Sequence, residues 1–238
     1  MLGISVDITE RKRAEEALSG VTRQLVEAQE QERSRIGREL HDDVSQRLAL
    51  LSISLGQLED KNNLPFEVWD AIQELKQMTS NIATDIHVLS HELHPSNLEY
   101  LGLVSAVRGW CEEYGKQHKL EIDFKSDELP PLRQEISLCL FRVLQEALHN
   151  AAKYSGVQRI EVQLVEKSGE IHLIVSDSGK GFDIDAARQK RGLGLTSMQE
   201  RVRLIGGTIV IDSKPSAGTT IHVRVPFTGE PRAQAATG

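Results

Sequence analysis

The sequence predicts an α+β chain in which an antiparallel helical hairpin, paired with a second copy into a four-helix bundle, is followed by an α/β sandwich. Three observations carry that prediction. From Glu10 to about Lys61 no proline interrupts a stretch rich in Glu, Arg, Gln, Leu and Ala, all residues that favour helix. A second amphipathic run follows and stops near Pro95. From about Leu98 onward, strand-like and helix-like runs alternate, the pattern of a mixed sheet covered by helices.

At the start, Gly3 to Lys12 reads as the end of a strand, with Ile4, Val6 and Ile8 alternating. Asp7 or Thr9 is placed to cap the helix that follows. On that helix Leu18, Val21, Leu25 and Ala28 are spaced by threes and fours, the seam of a coiled coil. Ile36, Leu40, Val44, Leu48, Leu51, Leu55 and Leu58 continue the apolar stripe. Between Ala28 and Val44 the stripe advances by fours through polar Glu32, which resembles a stutter that locally changes the supercoil. Lys61-Asn62-Asn63-Leu64-Pro65 breaks the pattern, with Pro65 placed to start the next helix. Trp69, Ile72, Leu75, Ile82, Ile86, Leu89 and Leu93 mark that second helix. A single hairpin leaves broad apolar faces uncovered, so a homodimer is expected.

In the second half, helices are predicted over Leu103–Gln117, Leu132–Tyr154 and Leu195–Ile205, with a turn at Pro130-Pro131. Strands are predicted over Leu120–Phe124, Arg159–Glu166, Ile171–Ser176, Thr208–Ser213 and Thr219–Pro226. The last stretch, 228–238, is rich in Gly, Ala and Pro and is expected to be a disordered tail.

The composition suits a globular protein: 238 residues, 39% hydrophobic and 26% charged. A net charge of −7 argues against nucleic acid as a direct ligand, since phosphate-backbone binding needs concentrated Lys and Arg. The two cysteines, Cys111 and Cys139, have neither metal-ligand nor CxxC spacing and read as plain thiols in a reducing compartment. No apolar run approaches the ~18–20 residues a membrane span needs. The expected location is cytoplasmic, with membrane anchorage upstream left open.

Four motifs in the second half carry chemistry. Glu146 and Asn150 are four apart, so a helix sets both on one face, where a carboxylate and an amide oxygen suit Mg²⁺. Lys153, one turn on, is placed to bring positive charge to phosphates. Alone, E-x-x-x-N is as readily a solvated helix face. Asp177-Ser178-Gly179-Lys180-Gly181 follows an apolar strand. Its glycines allow close backbone approach to a flat ligand, and Asp177 is placed to accept from an amino group. The same residues also make an ordinary turn. Gly192-Leu193-Gly194-Leu195 opens a helix, where backbone amides cradle phosphate. Gly218-Thr219 opens the final strand, with the Thr219 hydroxyl within reach of the same pocket.

In order and spacing these four resemble the Bergerat-type ATP-binding fold of histidine kinases, heat-shock-protein-ninety chaperones, type II topoisomerases and MutL-like repair proteins. Glu146, Asn150 and Lys153 match its N box. Asp177, Gly179 and Gly181 match the G1 box, whose aspartate reads adenine. Gly192 and Gly194 match the G2 box, and Gly218 with Thr219 the last element. The resemblance implies ATP and Mg²⁺ as cofactors, Glu146 and Asn150 as metal ligands, and an ATP lid over 183–190.

Upstream lies Glu32-Arg33-Ser34-Arg35-Ile36-Gly37-Arg38-Glu39-Leu40-His41-Asp42-Asp43-Val44-Ser45-Gln46. His41 is one residue, about 100°, from the apolar stripe, hence on the flank of the hairpin. Neutral imidazole is a usable nucleophile near neutral pH. This stretch resembles the phosphoacceptor helix of NarX/DesK-like sensor histidine kinases. That implies His41 as phosphoacceptor, Asp42 as general base and Gln46 as the phosphatase residue. A response-regulator receiver, usually joined to a helix-turn-helix output domain, is the implied partner. Residues 7–12 resemble the exit of a PAS sensor domain. His149 and Tyr154 depart from the subfamily's usual residues, and His87, His91 and His94 read as surface or bundle histidines rather than a metal face.

The expected domains are a remnant of an upstream sensor (1–10), a coiled-coil signalling helix (11–30), a dimerisation and phosphotransfer domain (31–96), a catalytic ATP-binding domain (97–227) and the tail (228–238). Two rivals use fewer of the motifs. One is an ATPase that drives clamping without phosphotransfer, and the other a dimeric scaffold that has lost nucleotide binding.

Overall fold

The computed structural model describes residues 8–59, 64–184 and 193–227. The predicted strand over Ile4–Ile8, the turn at Lys61–Asn63, most of the lid, Gly192 and the tail fall wholly or mainly outside them. The chain divides into two compact units, one of residues 27–96 and one of 1–26 with 97–238.

The first unit is the hairpin. From residue 27 onward, helix α1 (Ile8–Glu39) belongs to this unit and runs through a five-residue π-helical turn (Leu40–Val44) into α2 (Ser45–Glu59), and α3 (Phe66–Leu93) returns beside it. Pro65, at φ −55°, stands immediately before α3, where its missing N–H costs nothing. Leu55 and Ile72 are the buried apolar contacts of α2 and α3. Glu59 accepts from Gln73 Nε2 at 2.8 Å and from Lys76 Nζ at 2.5 Å, which ties the far ends of the two helices. Leu50, Leu51, Ile53, Leu58, Trp69, Leu75, Met78 and Ile82 remain exposed in the single chain.

The second unit is a five-stranded sheet under helices. Its elements are α4 (Ser96–His118), β1 (Glu121–Ser126), α5 (Gln134–Asn150), a second π-helical turn (Ala151–Ser155), β2 (Arg159–Lys167), β3 (Glu170–Asp177), α6 (Leu193–Leu204), β4 (Thr208–Ser213) and β5 (Thr219–Pro226). The strand order is β1-β2-β3-β5-β4, with β1 and β2 parallel and the other pairs antiparallel. This is the mixed α/β sandwich the sequence predicts. Gly102, at φ 78°, breaks α4 where the sequence places a helix start at Leu103.

Alternation along the strands builds the core. Ile160, Val162 and Leu164 of β2, Ile171, Leu173 and Val175 of β3, and Ile221, Val223 and Val225 of β5 all point to one face. Against it pack Leu140, Leu144 and Leu148 of α5, Val107 and Cys111 of α4, and Met198 and Val202 of α6. Burial pushes the Cys111 thiol up to about 12, so it is a packing group rather than a nucleophile, and Cys139 is buried as well. No helix among the described residues is long and apolar enough to cross a membrane.

Candidate functional site

On the hairpin, His41, Asp42 and Asp43 lie together in the π-helical turn, and all three are exposed. The turn has a cause in the sequence. Ile36, Leu40, Val44 and Leu48 recur by fours, and each such step overshoots a full α-helical turn by about 40°. Three steps accumulate about 120°, close to one residue's rotation. An i→i+5 turn accommodates that one extra residue and brings the stripe back to the inner face. The π-helical turn is a local unwinding of the helix, in the direction expected of steps of four. The Ser45 amide closes the turn on the Leu40 carbonyl, and its hydroxyl donates to the same oxygen at 3.2 Å. Gln46 is exposed on the next residue, and Arg47 pairs with Asp43 at 2.9 Å.

One turn before His41 is a contact that sequence reasoning missed. Gly37 is buried against the end of α3: a Cβ there would stand 2.6 Å from His94 Cβ and 2.9 Å from the His94 nitrogen. Ser90, 4% exposed, donates to the Gly37 carbonyl at 2.9 Å. Arg33 donates to the Glu92 carbonyl at 3.3 Å, and His94 Nδ1 meets Ser34 Oγ at 3.3 Å. The only advance signal was a glycine inside a helix otherwise built of strong helix formers. His87 and His91 meet edge to face at 4.4 Å, and no metal-binding cluster occurs among the described residues.

In the second unit, strand register assembles the pocket. Asp177 pairs with Thr219 across β3 and β5, and Thr219 pairs with Ser213 across β5 and β4. Directly paired residues share a face, and each lies two residues beyond a core position. One rung therefore ends the apolar face with three polar side chains in a row. Asp177 Oδ1 accepts from the Gly179 amide at 2.8 Å. Burial holds the Asp177 carboxyl above its usual range, while the Gly179 and Thr219 N–H groups pull it back.

The glycines around this rung also permit close contacts within the chain. A Cβ on Gly181 would strike the Lys214 carbonyl, and one on Gly218 the Asp177 carbonyl. One on Gly179 would lie 2.5 Å from the Ser155 carbonyl. What they permit is close contact between segments of this chain, not only approach of a ligand. The loop after Asp177 is thereby clamped: Lys180 N–H donates to the Ser155 carbonyl at 3.0 Å, and Ser216 N–H to the Lys180 carbonyl at 2.6 Å.

Helix α5 sets Glu146 and Asn150 side by side, Asn150 Nδ2 donating to Glu146 Oε1 at 3.0 Å. The amide oxygen of Asn150 is then the atom turned away from the carboxylate. Glu146 Oε1 also occupies the space a side chain on Gly194 would take, at the first turn of α6. Half-buried oxygens of a carboxylate and an amide are the hard donors Mg²⁺ takes, so these residues fit the metal, and Asp177 with Thr219 fit a purine amino group. Lys153 lies in the π-helical turn after α5, exposed, with Nζ 5.2 Å from the Tyr154 ring centroid. Leu195 is half-buried in the first turn of α6. Gly192 lies outside the described residues. A separate cleft of about 760 Å³, lined by Leu101, Leu103, Leu129 and Pro130 with Asp127 and Glu128, contains none of the predicted site residues.

The comparisons with known proteins match both units. Residues 32–98 match a family model described as histidine kinase. Residues 136–229 match histidine kinase-, DNA gyrase B-, and HSP90-like ATPase. The chain carries a two-component sensor histidine kinase core. The core is 36% identical over 204 residues to the oxygen sensor histidine kinase NreB of Staphylococcus carnosus, covering 85% of this chain and 58% of that protein. It is 30% identical over 213 residues to the signal transduction histidine-protein kinase/phosphatase DegS of Brevibacillus brevis, covering 87% and 54%. The kinase core thus spans little more than half the length of these relatives. The histidine kinase domain of the Erythrobacter litoralis EL346 blue-light activated histidine kinase aligns with a TM-score of 0.49 at 15% identity, over 76% of this chain and 94% of that one.

Proposed function

We propose that the chain autophosphorylates His41 from Mg-ATP and passes the phosphoryl group to an aspartate on a response-regulator receiver. The observation that carries this reading is the coexistence of an exposed His41-Asp42 pair in a widened helical turn with a rung of polar side chains, Asp177, Thr219 and Ser213, at the end of the sheet's apolar face. Asp177 accepts from the adenine amino group beside the Thr219 hydroxyl, on a floor formed by Gly179 and Gly181. Glu146 and Asn150 hold Mg²⁺, which neutralises charge on the phosphates when bound. Lys153 adds positive charge there, and the start of α6 with Gly192, Gly194 and Leu195 offers backbone amides. At the other unit, one ring nitrogen of His41 attacks the γ-phosphorus as the bond to the β-phosphate oxygen breaks, and Asp42 takes the proton from the other nitrogen.

Gln46, one turn beyond His41, orients water for the reverse task, dephosphorylation of the receiver. That the DegS relative is named a kinase/phosphatase supports this part. The finer assignment, to the NarX/DesK-like subfamily, rests on the H-D-x-x-x-Q spacing, and a helix-turn-helix output on the partner follows from it. Exposed Leu51, Leu58, Trp69, Leu75 and Ile82 support a homodimer that closes a four-helix bundle, and exposed Val21 and Leu25 a coiled coil before it. On this reading residues 1–10 are the exit of a PAS-like sensor, 11–30 conduct the signal, 31–96 dimerise and accept phosphate, 97–227 bind ATP, and 228–238 are a tail.

Incubation with γ-labelled ATP and Mg²⁺ tests the reading. The label should be acid-labile, absent in His41→Gln and absent in Asp177→Asn. Label that persists in His41→Gln overturns the phosphoacceptor, and sustained phosphate release indifferent to that substitution favours a clamp ATPase.

A further inference from the structure

We infer that Ser213 is a positioning residue that fixes Thr219 as a hydrogen-bond acceptor and so makes the pocket prefer a purine bearing a 6-amino group over one bearing a 6-carbonyl. The inference rests on the ATP reading above. Sequence reasoning treated Ser213 only as the last residue of a strand. It is 7% exposed and joins three segments of the pocket through one oxygen. Its hydroxyl accepts from the Phe182 N–H at 2.9 Å, donates to the Gly218 carbonyl at 3.1 Å, and lies 3.0 Å from Thr219 Oγ1.

A serine hydroxyl has one proton and two lone pairs. The Gly218 carbonyl has no proton to give, so it takes the Ser213 proton. The Phe182 N–H fills one lone pair. Only the second lone pair is left for Thr219, whose hydroxyl must therefore be the donor in that contact. With its proton committed to Ser213, Thr219 offers its pocket only lone pairs. Its neighbour across the strand pair is Asp177, a carboxylate and also an acceptor. Two acceptors side by side suit the two N–H bonds of a 6-amino group and oppose the lone pairs of a 6-carbonyl. Without the Ser213 hydroxyl, Thr219 is free to turn and donate, and the discrimination weakens.

The test is equilibrium binding of Mg-ATP and Mg-GTP to the full chain, by calorimetry, for wild type, Ser213→Ala, Ser213→Thr and Thr219→Val. Ser213→Ala should weaken ATP about tenfold while GTP changes by less than about twofold, the loss expected of one hydrogen bond's orientation. Ser213→Thr, which keeps the hydroxyl, should restore the wild-type ratio. Thr219→Val leaves the Ser213 bonds to Phe182 and Gly218 in place and should narrow the ATP-to-GTP ratio to the same extent, with the double variant no worse than either. An equal loss for both nucleotides in Ser213→Ala means a merely structural hydroxyl and overturns the inference. So does an unchanged ratio in Thr219→Val, which stands even if Ser213→Ala folds poorly. Failure of the wild-type chain to bind ATP would instead remove the reading on which the inference rests.

Discussion

Replacing Gly37 by alanine should loosen the hairpin beside its proposed phosphoacceptor, and the size of the effect follows from three contacts. The new Cβ would meet His94 Cβ at 2.6 Å, the His94 nitrogen at 2.9 Å and Leu93 Cβ at 3.2 Å. Carbon atoms settle about 3.5–4.0 Å apart, so α1 and the end of α3 must separate by roughly 1 Å. Overpacking of this kind costs about 1–3 kcal/mol. Separation also stretches the buried bond from Ser90 to the Gly37 carbonyl, 2.9 Å long, and an unmatched buried hydroxyl costs about 1–3 kcal/mol more if the bond is lost. Against this, alanine is better than glycine inside a helix by about 1 kcal/mol. The net expectation is a loss of about 2 kcal/mol, read as a fall of roughly 8–16 °C in the melting transition of the hairpin. Differential scanning calorimetry of the full chain measures it. Gly109→Ala is the control, because that exposed glycine of α4 has nothing within 4 Å and should gain stability from the same change. A Gly37 variant that melts with wild type or above it would refute the contact, since helix propensity alone would then account for the result.

Gly218→Ala forces a side chain against the Asp177 carbonyl at a φ of 78°, so nucleotide affinity should fall by at least about tenfold in a binding titration. Asp177→Asn should abolish nucleotide binding yet melt at or above wild type at neutral pH. Burial raises this carboxyl, so the folded chain binds the proton more readily than the unfolded one and gains stability as pH falls through the raised value; the amide has no charge to bury, and its advantage should vanish in acid. The opposite sign holds for His222, which burial, then His172, Arg224 and Lys167, push down against the pull of Glu170. Stability should fall as pH drops below about 6.5, where the unfolded chain takes up the proton first, and His222→Gln should flatten that slope in pH-dependent melts. Ser45→Ala removes one of two donors on the Leu40 carbonyl and should cost under about 1 kcal/mol, with faster hydrogen exchange at the Ser45 amide.

Periodicity carried most of the fold. The strands at Thr208–Ser213 and Thr219–Pro226 are bounded as their alternation predicts, because each has one face buried and the pattern has only one register that hides it. The helix predicted from Leu132 instead starts at Gln134, since Arg133 is still extended at ψ 142° after the paired prolines. Its last five residues widen into a π-helical turn closed by left-handed Gly156, which no apolar spacing encodes. Around Asp177 the residue types were legible, but the contacts that the glycines permit within the chain were not. Whether a missing Cβ makes room for a ligand or for the Lys214 carbonyl depends on which distant segments touch. Gly37 and Ser213 were illegible for the same reason: their partners lie 53 to 57 residues away at Ser90 and His94, and 31 residues away at Phe182.

The polar rung of Asp177, Thr219 and Ser213 hangs from strand register, not from the loops that join the strands. Among the residues between β3 and β4, the described ones, 178–184 and 193–207, contribute nothing to the hydrogen-bonded pairing of β3 with β5. The spacing of the three side chains is therefore independent of the length of chain between residues 184 and 193. Register thus separates the part of the site that the sheet holds in place from a connecting segment whose length is free to vary.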